Sequence, residues 1–89
     1  MNNYDSTYEA IVHMAKAKMI MNSHKGDIES LNPATLVELA KSELAEVEMA
    51  MINGQDQVHV IEECADLMNY LVAMSHVAIE NYRNRKNKP

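Results

Sequence analysis

Two pairs of acidic residues are the part of this sequence whose types and spacing could do chemistry. Glu43 and Glu46 form the first pair, and Glu63 and Asp66 form the second. Residues three positions apart on a helix lie one turn apart on the same side, so each pair would present two carboxylates together. Carboxylate oxygens without Cys or His suit a hard divalent cation such as Mg²⁺ or Mn²⁺. The pairs therefore predict an oxygen-ligand metal site wherever their two helices meet.

The chain around these acids has the pattern of helices. No segment alternates apolar and polar residues as a half-buried strand would. A first helix is expected from the capping-box pattern Ser6-x-x-Glu9 to about Met21. The polar stretch 22–31, which contains Gly26, is expected to be a loop. We therefore predict an all-α fold, a small antiparallel bundle of three main helices that is completed by oligomerisation.

Capping signals mark the ends of the two helices that carry the acids. The dipeptide Asn32-Pro33 supplies an N-cap and a first helical residue for the second helix, and Gly54 ends it. Asp56 can cap the third helix, which is expected to continue to about Tyr82. We find no internal boundary, so residues 1–89 are expected to form a single domain with a flexible basic tail, 83–89.

At about 100° per residue, the four acids fall on or beside apolar faces. Glu43 lies near the middle of the apolar face of the second helix, with Glu46 at its edge. Glu63 lies within the apolar stripe of the third helix and Asp66 on its border, whereas Glu62 points away. The apolar residues that define these faces are Leu36, Leu39, Ala40, Leu44, Val47 and Ala50, then Leu67, Tyr70, Leu71, Met74, Val77 and Ala78.

Inward carboxylates need compensation. Burying one unpaired carboxylate costs several kcal/mol, and four together repel one another. Neither apolar face contains Lys or Arg. The acids must therefore be protonated, be neutralised by cations from elsewhere, or bind a metal. Mg²⁺ held by carboxylates keeps several waters and commonly binds substrate phosphates as well.

The segments that carry the acids resemble the MazG-like all-α nucleoside triphosphate pyrophosphohydrolases. The family signature is ExxE, a gap, then ExxD, and it matches residues 42–50 and 62–71. The stretch His24-Lys25-Gly26-Asp27 is similar to a loop in phage and bacterial members, and the resemblance covers roughly residues 15–82. The sequence departs from the family at Ser42, where many members have a further Glu.

The resemblance implies an enzyme in which water attacks the α-phosphorus of a nucleoside triphosphate, releasing nucleoside monophosphate and pyrophosphate. It implies that Glu43, Glu46, Glu63 and Asp66 hold Mg²⁺, some of them doubling as bases, in a dimer or tetramer. Cations must hold the remaining phosphates of the substrate. The expected substrate-binding residues are Lys25, Asn81, Arg83 and Lys16, with Lys18, Arg85 and Lys86 as further candidate cations.

Self-association is also expected from the sequence. The chain has 89 residues, no Trp or Phe and eight Met, so it can bury little rigid apolar surface by itself. The third helix has a second apolar strip, which we interpret as a subunit interface in a homodimer or homotetramer. The residues of this strip are Ile61, Cys64, Met68 and Val72.

Charge and composition narrow the partners and the compartment. The net charge of −5 argues against stable nucleic-acid binding, although four cations lie in the last seven residues. No apolar run approaches the ~20 residues of a membrane span. Cys64 is the single cysteine, which favours a reducing compartment, and the first residues lack a signal-peptide pattern. We therefore expect a cytoplasmic protein.

Two other interpretations compete with the hydrolase. A di-iron carboxylate bundle needs Glu-x-x-His pairs, and the sequence contains none. A catalytically inactive helical assembly or nucleotide-binding module of the same fold is the more serious alternative. The histidines show no metal spacing with the acids and are interpreted as surface or interface residues. They are His13, His24, His59 and His76.

Overall fold

The computed structural model describes residues 3–21 and 31–86, which form three α-helices. They are α1 (Asp5–Met21), α2 (Pro33–Ile52) and α3 (Gln57–Lys86). The described ranges contain no strand, and α3 packs against both α1 and α2. The prediction of an all-helical chain with three helices is thus confirmed. Most of the predicted loop, 22–30, lies outside the described residues.

The predicted capping residues are found at the start of α2, at the start of α3 and after the end of α2. The Asn32 side chain accepts a hydrogen bond of 2.8 Å from the backbone N–H of Ala34, at the start of α2. The Asp56 side chain accepts one of 2.9 Å from the backbone N–H of His59 and so caps α3. Gly54 follows the end of α2 with a φ of 64°, a conformation in which residues with a Cβ are strained.

Two predicted helix ends need correction. The backbone N–H of Tyr8 donates to the carbonyl of Tyr4, so α1 starts at Asp5 and Ser6 lies inside the helix. α3 continues four residues past Tyr82 to Lys86, so residues 83–86 of the predicted tail are helical. Basic side chains in the last turn favour this extension because they face the negative end of the helix dipole. Residues 87–89 lie outside the described part.

The core of the bundle consists mostly of small side chains. Within the described residues, Leu36 is the one large side chain that is fully buried. The complete set of buried residues is Ala15, Leu36, Ala40, Val47, Ala50, Ala65 and Ala73. Alanines allow helices to approach closely but contribute little apolar area each. The core is therefore thin, and Leu36 is its main apolar anchor.

The predicted apolar faces are partly wrong. Leu44 is 57 % exposed and Leu71 is 49 % exposed, and Ala78 is exposed as well. Glu62, predicted to point away, is half-buried. Because α3 packs against two helices, its covered side is broader than one apolar stripe and is rotated toward α1. This rotation moves Asp66 from the border of the predicted stripe to the middle of the covered side.

The second half of α3 contributes only Ala73 to the buried core. A helix of 30 residues is about 45 Å long, and no residue after Ala73 is buried in the described part of α3. Val72, Ile79 and Tyr82 expose large apolar surface there. The described helices include no segment with the length and apolar character needed to cross a membrane.

Candidate metal centre

Three of the four predicted acids converge. Glu43 from α2 and Glu63 and Asp66 from α3 each offer a carboxylate oxygen, and these oxygens lie within 4.8 Å of one another. All three residues are half-buried, and we call them the acidic cluster. Glu63 is more covered than Asp66, with 16 % of its side chain exposed against 28 %. The α2–α3 contact therefore brings Glu43 to two acids that follow it by 20 and 23 positions in the sequence.

Glu46 does not join the acidic cluster. It is exposed, contrary to the expectation that both acids of α2 face the core. The buried residues of α2 are Leu36, Ala40, Val47 and Ala50, and Glu46 lies about 85° around the helix from their mean direction at 3.6 residues per turn. Its charge still raises the pKa of Glu43, so Glu46 lies beside the cluster without being part of it.

A lysine from α1 neutralises part of the acidic cluster. The Nζ atom of Lys18 lies 3.1 Å from Oδ1 of Asp66 and donates a hydrogen bond of 3.1 Å to Oδ2. The two side chains are 24 % and 28 % exposed. The sequence left three ways to compensate the inward acids: protonation, a cation from elsewhere in the chain, or a metal. At Asp66 the structure shows the second, a cation from elsewhere in the chain. Lys18 was only one of several candidate phosphate-binding cations in the sequence.

Two further polar residues support the cluster and were missed from the sequence. The Asn69 side-chain amide donates a hydrogen bond of 3.0 Å to the main-chain carbonyl of Ala15, which ties α3 to α1. His59 places Nε2 3.6 Å from Oε1 of Glu63, too far for a hydrogen bond but close enough for a charge interaction when protonated. The sequence did contain a signal for His59, because it precedes Glu63 by four positions on one helix.

Electrostatics single out Glu43 within the cluster. Its pKa is raised from the usual 4.5, first because burial disfavours the charged form and then because the acids around it add negative charge. Those acids are, in decreasing order of effect, Asp66, Glu63 and Glu46. The pKa of Tyr70 is also raised, by burial and by the charges of Glu43 and Asp66, so its phenol lies beside the cluster.

The predicted substrate-binding residues that the structure describes are not brought to the cluster within one chain. Lys25 lies outside the described residues. Lys16 is exposed on α1, about 200° around the helix from Lys18, and lines a shallow depression of about 370 Å³. Asn81 and Arg83 are exposed on α3, about 22 Å and 25 Å along the helix from Asp66. Lys18 is therefore the cation observed at the site.

The second apolar strip of α3 is partly covered by the chain itself. Ile61, Cys64 and Met68 are half-buried, and Val72 is 49 % exposed. Cys64 is a free thiol. The assignment of this strip to a subunit interface stays a prediction.

No protein-family model, curated protein or solved structure matches the chain. The function is therefore inferred from the residues and their geometry.

Proposed function

We propose that this protein is a Mg²⁺-dependent nucleoside triphosphate pyrophosphohydrolase, which releases nucleoside monophosphate and pyrophosphate. The observation that carries the proposal is the convergence of Glu43, Glu63 and Asp66 from two helices, with donor oxygens within 4.8 Å. These three residues belong to the ExxE and ExxD motifs that resemble the MazG-like family. Three of the four acids of these motifs thus lie together, and Glu46, which is exposed, is the exception.

The donor set fits Mg²⁺, with Mn²⁺ as a substitute. Three carboxylate oxygens are the hard ligands that these ions prefer, and the cluster contains no thiolate. With one ammonium, Lys18, on Asp66, the cluster keeps a formal charge of −2, which a divalent cation would balance. When bound, the metal would polarise phosphate oxygens and lower the pKa of a bound water.

Within this proposal Glu43, Glu63 and Asp66 would hold the metal. As the resemblance implies, some of these ligands would also orient the attacking water and take its proton. Glu46 acts through its charge on Glu43. The phenol of Tyr70 lies beside the cluster, and we propose that its ring contacts the substrate.

Binding of the triphosphate requires cations, and Lys18 is the closest observed candidate. Asn81 and Arg83 lie too far along α3 to serve the cluster of their own chain, so any role in substrate binding would come from a second copy.

We propose a homodimer or homotetramer, supported by the exposed apolar surface of α3. Light scattering should give two or four times the chain mass of 10.1 kDa, and a mass of 10.1 kDa would contradict the oligomer.

The lone Cys64 supports placement in the cytoplasm.

A catalytically inactive helical assembly or nucleotide-binding module of the same fold is the second candidate. The ion pair between Lys18 and Asp66 favours it, because an ammonium on both carboxylate oxygens stabilises the cluster without any metal. The two candidates differ in turnover, which one assay can measure directly.

A product-resolved hydrolysis screen tests the proposal. Ribo- and deoxyribonucleoside triphosphates would be incubated with the protein and Mg²⁺, and pyrophosphate distinguished from orthophosphate. We expect equal amounts of monophosphate and pyrophosphate from at least one substrate, and none in EDTA. Glu48→Gln, which changes an exposed acid on α2, should leave the rate unchanged. Absence of turnover with all substrates would support the inactive module, and release of orthophosphate would contradict the reaction type.

A further inference from the structure

The Lys18–Asp66 pair differs from every other ion pair in the described part of the chain. The other three join residues three or four positions apart on one helix, whereas this pair joins α1 to α3 across 48 positions. Exposed pairs within a helix contribute little to stability and form wherever opposite charges are one turn apart. A half-buried lysine that spans two helices requires a specific tertiary position.

Lys18 acts on the acidic cluster as a whole. Its ammonium lies at both oxygens of Asp66, and its charge lowers the pKa of Glu43 against the combined effect of the surrounding acids. Without it, three half-buried carboxylates would face one another with no cation from the described residues in hydrogen-bond contact. Its four-carbon side chain is flexible, so the ammonium can leave Asp66 without any movement of α1.

We infer that Lys18 is the resident counter-ion of the acidic cluster, and that a divalent cation binds there in competition with its ammonium. The inference rests on the proposed function, because it takes Glu43, Glu63 and Asp66 as the metal's ligands. The ammonium of Lys18 contacts both oxygens of Asp66, and two cations on one carboxylate repel each other. Lys18 thus stabilises the metal-free cluster and weakens its affinity for the metal.

Calorimetric titration with Mn²⁺ alone tests this competition on the full chain. Lys18→Met keeps the length and apolar stem of the side chain and removes its charge. We expect Mn²⁺ to bind this variant about three- to tenfold more tightly than wild type. The metal-free melting temperature should fall by about 5 °C, because the acids lose their counter-ion. Lys41→Met removes the lysine of an exposed pair on α2 and should change neither quantity.

A second variant preserves the test if Lys18→Met does not fold. Lys18→Arg keeps the positive charge and adds the planar fork that binds a carboxylate with two parallel hydrogen bonds. Because a stronger counter-ion is harder to displace, we expect Mn²⁺ to bind Lys18→Arg several-fold more weakly than wild type. Equal or tighter binding by Lys18→Arg would overturn the competition.

The titrations separate this inference from the proposed function. If wild type binds Mn²⁺ and Lys18→Met binds it no more tightly, the inference is overturned and the proposed metal site stands. If neither binds, both are overturned. If only Lys18→Met binds, the inference is supported, and the proposed hydrolase is overturned because the native lysine then closes the site.

Discussion

The side-chain amide of Asn69 donates a 3.0 Å hydrogen bond to the carbonyl of Ala15, one turn of α3 from the carboxylate of Asp66. Ala15 lies three positions before Lys18 on α1, so this bond and the Lys18–Asp66 pair lie side by side on the same helix–helix contact. Ala15 is buried and leaves room for close approach of the helices. The polar contacts that hold α1 on α3 are thus concentrated beside the acidic cluster.

Asn69→Ala should destabilise the protein by about 1 kcal/mol, because it removes a part-buried hydrogen bond between helices. The same change should loosen α1 and so weaken the Lys18–Asp66 pair. Urea denaturation measures the first effect. Asn84→Ala is the control, since this residue is exposed near the end of α3. Equal stability of the two variants would show that the Asn69 contact does not hold α1 in place.

Leu36→Ala should cost about 2 to 5 kcal/mol, since it removes the one large side chain that the described core buries fully. In a protein this small, such a loss is a large fraction of the total stability. Leu44→Ala, on the same helix but 57 % exposed, should cost less than about 1 kcal/mol. Denaturation of both variants compares the same Leu→Ala change at a buried and at an exposed position. Similar losses of stability at the two positions would mean that the core has been assigned to the wrong residues.

Metal-free stability should depend on pH through Glu43. The pKa of this acid is higher in the folded than in the unfolded state, so its contribution is fully present below about 4.5 and is lost as pH rises through the raised value. Glu43→Gln should therefore be more stable than wild type at pH 7 in EDTA, with the difference shrinking toward pH 4. Denaturation at the two pH values checks this. A Gln variant that is less stable than wild type at pH 7 would contradict the raised pKa.

Both ends of α2 and the start of α3 could be predicted because they are encoded locally. Asn32, Gly54 and Asp56 act within a few residues of themselves, and all three have the predicted roles. The convergence of Glu43 with Glu63 also followed from sequence, because one apolar face on each helix must meet the other.

The features that could not be predicted depend on how α3 packs against α1 and α2 at the same time. The rotation of α3 is set by simultaneous packing on α1 and α2, and this rotation exposes Leu71 and centres Asp66. No local pattern specifies which residue of α1 meets Asp66, so Lys18 could not be chosen over Lys16. Glu46 is exposed because the buried side of α2 is narrow. The apolar pattern predicted a broader buried side because it included Leu44, which is exposed.

We propose that Glu63 is a metal ligand of a hydrolase and not a structural acid, and replacement by Gln separates these roles. Glu63→Gln removes one charged oxygen at nearly constant volume, from a side chain that is 16 % exposed. Since it relieves repulsion among the carboxylates, metal-free stability should equal or exceed that of wild type. Glu62→Gln changes the adjacent acid, which lies outside the cluster, and serves as the control.

The most direct measurement is the rate of pyrophosphate release by Glu63→Gln, Glu62→Gln and wild type, with Mg²⁺ and a substrate that wild type hydrolyses. We predict a loss of about 100-fold or more for Glu63→Gln and a rate near wild type for Glu62→Gln. An undiminished rate for Glu63→Gln, in a variant that folds as wild type does, would contradict the proposed metal site.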